Sequence, residues 1–174
     1  MSQIPDTIVL KRDRDLAGRE NEIWVRRGLF ALLCLVPVLA LLNLFGQHPG
    51  TSNAAGAAAR LEVYAPARVR SGLLFEARFH IVAVRDLKRA TLVLAPGWFE
   101  GMTVNTIEPS PTSETSVNGN LSLSLGHIPR GQSYLLFMQF QVNPINVGHR
   151  QQTVQLYDGN RKVLELHHTI TIFP

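Results

Sequence analysis

Between residues 28 and 59 the chain carries no charged side chain, and residues 29–45, LFALLCLVPVLALLNLF, are almost wholly apolar. No feature constrains the fold more. Seventeen residues at about 1.5 Å each make a helix of roughly 25 Å, the short end of a membrane span. The run is apolar all the way round, without the polar stripe of a half-buried soluble helix. A single transmembrane helix over residues 28–46 is therefore expected. Trp24 sits at headgroup level, and Arg26 and Arg27 reach the lipid phosphates from the same flank.

A cleaved export signal has a shorter apolar core, with a small-residue cleavage site soon after it. The small-x-small candidates here lie in NAAGAAA, residues 53–59, some distance beyond Phe45. Leu33 also blocks the small residue that a lipoprotein signal needs before Cys34. Retention as an anchor is the expectation. Six Lys and Arg precede the run and none follows it until Arg60. The positive-inside rule then places the N-terminus in the cytoplasm and the C-terminal part outside. Within the span, Pro37 removes one helix hydrogen bond and Asn43 offers an amide to a neighbouring helix. Both are candidate contacts for a membrane partner.

Four segments are expected: a charged cytoplasmic tail over 1–27, the span over 28–46, a linker over 47–60 and an extracytoplasmic domain over 61–174. The tail mixes six basic with five acidic residues, which suits a solvated, topology-setting segment. GQHPGTSNAAGAAAR is small, Gly-containing and almost uncharged, and reads as the linker.

From Leu61 the hydrophobic period changes to two. Phe75, Ala77, Phe79, Ile81 and Ala83 alternate with Glu76, Arg78 and His80. Leu121, Leu123 and Leu125 share one face, as do Tyr134, Leu136, Met138, Phe140 and Val142. In the last strand Leu164, Leu166, His168, Ile170 and Ile172 oppose Val163, Glu165, His167, Thr169 and Thr171. With EVYAP, RATLVLAP, MTVNTIEP and QTVQLYD these make about eight short segments separated by turn residues, and YDGNRK reads as a tight hairpin. The fold class is all-β, a sandwich or barrel.

The run GHIPRGQSYLLFMQFQVNPINVGHRQQTVQLYDGNRKVLELHHTITIF resembles the closing half of bacterial immunoglobulin-like modules. The layout is similar to that of bacterial single-pass membrane proteins with an Ig-like extracytoplasmic domain. The resemblance covers residues 60–174 and implies an Ig-like antiparallel β-sandwich. It implies no catalytic residue, and the antibody-type Cys–Trp–Cys core is absent.

Net charge is +4, with basic and acidic residues interleaved rather than gathered on a stripe. That argues against nucleic acid. One cysteine, Cys34, precludes an internal disulfide. No phosphate-cradling glycine loop, HExxH, CxxC or GxSxG occurs, so neither an enzyme nor a cofactor is expected. His167 and His168 are adjacent on a strand and face opposite ways. His80, His127 and His149 fall in separate elements, and no metal site is assigned to them. In PGWFEGM, Trp98 and Phe99 either plug one end of the sandwich or form an exposed aromatic contact. EPSPTSETSVNGN, residues 108–120, is expected to be a mobile polar loop.

These features point to a membrane-anchored, non-enzymatic accessory protein of the bacterial envelope. It would dock a membrane protein complex or envelope protein at the outer face of the bilayer. The alternative is an envelope module binding carbohydrate or metal.

Overall fold

The structure is a computed structural model that describes residues 20–42 and 46–174. The expected contact at Asn43 lies outside those residues. The chain divides into two units, one ending at Phe45 and one starting at Gly46.

In the first unit, α1 (Glu20–Leu41) extends the apolar run N-terminally through ENEIWVRR, whose Glu and Arg residues are good helix formers. Its 22 residues reach about 33 Å. By length and composition it is apolar enough to cross a membrane. Trp24 and Arg27 lie one turn apart, with the guanidinium carbon 5.4 Å from the ring centroid. Pro37 is inside the helix and exposed.

The second unit contains ten strands among the described residues: β1 (His48–Ala55), β2 (Ala59–Arg70), β3 (Leu74–Ala83), β4 (Leu87–Leu94), β5 (Met102–Glu108), β6 (Ser113–Val117), β7 (Asn120–Ile128), β8 (Ser133–Val142), β9 (Gly148–Asp158) and β10 (Arg161–Phe173). They are linked in the order β5-β8-β3-β2-β10-β9-β4-β7-β6, with β1 added to β2. The path ends on two open edges, so the sheet is not closed into a barrel. It doubles over at β2 into a two-layered sandwich whose ladders are antiparallel except where β2 meets β10.

The fold-over has a local cause. β2 alternates inward and outward through Tyr64, then buries Ala65 and Pro66 in succession. Pro66 has no N–H to donate, so the ladder to β3 stops at Tyr64–Arg78. The strand bends there and its last residues pair in parallel with β10, Arg68 with Thr171 through Arg70 with Phe173. One strand thus belongs to both layers.

The period-two sets from β3, β7, β8 and β10 meet as expected: Phe79, Ile81, Leu123, Leu136, Phe140, Ile170 and Ile172 are all buried. Trp98, in a single 3-10 turn over Pro96–Trp98, stands between the layers. Its ring lies 5.2 Å from Phe79, 5.6 Å from Phe140 and 6.4 Å from His168.

Two expectations are corrected. The presumed linker over 47–60 is mostly strand, since β1 pairs with β2 from Pro49–Pro66 to Ala55–Arg60. Small residues suit it there: Gly50, Ser52 and Ala54 point inward with little volume to fill. The presumed loop over 108–120 holds β6, paired with β7 from Ser113–Ser124 to Val117–Asn120. Asn118 and Gly119, at φ 52° and 77°, make the left-handed two-residue turn that hairpin twist favours.

Candidate functional site

Outward positions on the layer β1-β2-β3-β8-β5 form a surface whose composition departs from the rest. Strand register places Tyr64 opposite Arg78, Arg78 opposite Phe137, and Phe137 opposite Glu108. One row therefore crosses four strands. The Arg78 guanidinium carbon sits 5.4 Å from the Tyr64 ring centroid and 5.8 Å from that of Phe137. The cation is held between two aromatic side chains.

Glu76, two residues away on the same face of β3, accepts a hydrogen bond from Arg78 Nε. That bond, and then the carboxylate charge, push the guanidinium pKa further up. Arg78 is cationic at every physiological pH. On one side of the row lie Glu62, His80 and Leu135, and on the other Pro66, Glu76, Gln139 and Thr106. Shallow hollows between these side chains are lined by Tyr64, Pro66, Glu76 and Arg78 and by Glu76, Thr106, Glu108 and Phe137. Tyr64 and Leu135 are 39% and 40% exposed, high for such side chains in a sheet interior.

The row was missed from sequence, although a signal existed. SYLLFMQFQV places Leu135 and Phe137 on the parity that should face water. Apolar residues on both parities of a half-buried strand mark a second surface needing cover. Tyr64 breaks the outward parity of β2 in the same way.

Of the two readings of PGWFEGM, Trp98 follows the plug and not the exposed contact. Trp98 is 0% exposed and belongs to the core, so its ring cannot stack on a ligand at the surface. Phe99 is half-buried and packs on Phe140, at 6.4 Å. The turn holding them is locked from below: Asn146 Nδ2 donates to Glu100 O and Gly101 O, both at 3.0 Å, and Arg150 Nη2 donates to Asn146 Oδ1 at 2.9 Å.

The histidines stand apart. His127 contacts Asp86 at 2.8 Å, His149 contacts Thr171 at 3.0 Å and His167 contacts Thr153 at 3.1 Å, each on the surface. Among the described residues no three His, Cys, Asp or Glu side chains gather as a metal-binding group. His168 is buried, as its parity with Leu166 and Ile170 requires.

No protein-family model matches the chain, and no curated protein matches it. Solved structures similar to it include CaCohA2 from Clostridium acetobutylicum, a solution structure with TM-score 0.47 and 16% identity, covering 68% of this chain and 92% of that one. Another is the CARDB domain of a Pyrococcus furiosus protein in complex with di-metal ions. There the TM-score is 0.39, the identity 13%, and the coverage 73% of this chain and 96% of that one.

Proposed function

We propose that this chain is a membrane-anchored, non-enzymatic binding protein of the cell envelope. In this reading α1 spans the membrane with Trp24, Arg26 and Arg27 at its cytoplasmic interface, and the sandwich lies outside. The sandwich docks a partner protein, a membrane protein complex or envelope protein, through the outward face of β1-β2-β3-β8-β5. Pro37 and Asn43 remain candidate grips for the partner's membrane helices.

One observation carries the docking reading: the Tyr64–Arg78–Phe137 row. Tyr and Arg are enriched among residues that dominate binding energy, and aromatics gather at interface centres. The row has the arrangement of such a centre, with Glu62, His80 and Gln139 as a polar rim. Anchoring raises the effective concentration of the face toward any partner in the same membrane.

The test is site-specific photocrosslinking in native membranes. A crosslinker at Tyr64 or Phe137 should give one specific protein adduct that disappears with Arg78→Ala. A crosslinker at Arg130, on the turn between β7 and β8, should give none. Equal labelling from all three positions, or adducts indifferent to Arg78→Ala, would remove the face from consideration.

A further inference from the structure

Exposed apolar side chains are distributed unevenly over the second unit. Of its eight exposed large hydrophobics, four occupy two adjacent connections: Leu73 and Leu74 at the β2–β3 turn, and Ile145 and Val147 in the β8–β9 loop. Ile145 is 90% exposed. Backbone bonds join these connections, with Gly72 N donating to Val142 O at 3.1 Å and Val142 N donating to Leu73 O at 3.0 Å. Pro144 lies against Gly72. The four side chains therefore tip one end of the sandwich. The turns at the other end carry Arg85, Asp86, Arg130, Asp158 and Arg161.

The apolar end is also where the chain arrives from α1. Gln47 Nε2 donates to Leu74 O at 2.7 Å, and β1 begins at His48, opposite Arg68. α1 ends at Leu41, so six residues separate helix from strand. Arg68 and Arg70 are exposed at the same end.

We propose that this end of the sandwich is seated in the interface of the bilayer that α1 spans. Leu73, Leu74, Ile145 and Val147 enter the boundary between headgroups and acyl chains, and Arg68 and Arg70 meet lipid phosphates. The proposal rests on α1 being an anchor. Apolar tips flanked by cations match the chemistry of that boundary, where buried apolar area and attraction to anionic lipid add. Seating this end there would also turn the Tyr64–Arg78–Phe137 row, on a side wall of the sandwich, along the membrane.

The test uses the full chain with Cys34→Ser, reconstituted in phosphatidylcholine–phosphatidylglycerol vesicles. A polarity-sensitive fluorophore is attached at Ile145→Cys or, separately, at Arg130→Cys. The expected result is emission shifted to shorter wavelength and quenched by doxyl lipid for the first position only. Ile145 is so exposed that the label leaves the core undisturbed. If the chain resists alkaline extraction yet both labels read as aqueous, the seating is wrong and the anchor stands. If alkaline carbonate releases the chain, the anchor reading falls and the seating falls with it.

Discussion

Ser52 on β1 hydrogen-bonds His168 on β10 at 3.0 Å, across 116 positions of sequence. The other ring nitrogen, Nε2, lies 3.3 Å from Pro66 O. A carbonyl only accepts, so Nε2 carries the proton and Nδ1 of the neutral ring accepts from the Ser52 hydroxyl. The ring joins β1 and β10 to the bend in β2, the strand that both layers share. Trp98 stacks on it, at 6.4 Å and 19° between planes.

Burial lowers the His168 pKa below its ordinary value, and the bond to Pro66 O opposes that only in part. The unfolded chain thus binds this proton more readily than the folded one. Stability from His168 is complete above the ordinary histidine value of about 6.5 and is lost as pH falls through the depressed folded value. Chemical denaturation at pH 7.5 and pH 5 should show a lower midpoint at pH 5. In His168→Gln the difference should narrow. An unchanged difference would place the pH dependence in other groups.

A Cβ on Gly97 would stand 1.9 Å from the backbone oxygen of Gln151. Neither group can turn aside, because both belong to backbone that fixes Trp98 in the core. Gly97→Ala should cost at least ~1–3 kcal/mol, as overpacking does. Trp98→Ala should cost about 3–5 kcal/mol. Thermal unfolding of both variants measures these costs, and a Gly97→Ala domain as stable as the parent would mean that the 3-10 turn is free to move.

Asn146 satisfies two carbonyls on the turn after Trp98 and accepts from Arg150. Asn146→Ala removes all three bonds and leaves Glu100 O without its side-chain donor, while Gly101 O keeps the bond from Asn143 N. A loss of about 1–3 kcal/mol is expected. Arg150→Ala removes only one of the three bonds and should cost less. The reverse ranking in urea denaturation would contradict this division of roles.

Arg78→Ala tests whether the outward row serves binding or stability. Arg78 and Glu76 are both solvent-exposed, and exposed ion pairs contribute about 0–1 kcal/mol. The variant should keep its unfolding midpoint within that margin while losing the partner crosslink. A large drop in stability would make the row a structural brace.

Much of the architecture was legible in the chain. Strong period-two alternation put Phe79, Met138 and Ile170 inside, and sent His167 and His168 to opposite faces, because strand geometry alone dictates parity. The two strands that went unread, β1 and β6, are HPGTSNAA and SETSV. Each lies at an edge and is held by the backbone ladder of a neighbour, so neither needs an apolar stripe. The candidate site was legible only as an anomaly of parity at Leu135 and Phe137.

By itself, then, the sequence determined an apolar helix, a β domain and the inward face of its strong strands, since these depend on residues near one another in the chain. Tertiary structure alone decided that Trp98 would be a core plug. It also brought Ser52 to His168, and set Tyr64, Arg78 and Phe137 in one row. Each of those depends on strand register between distant segments, where a slip of one residue reverses every side chain.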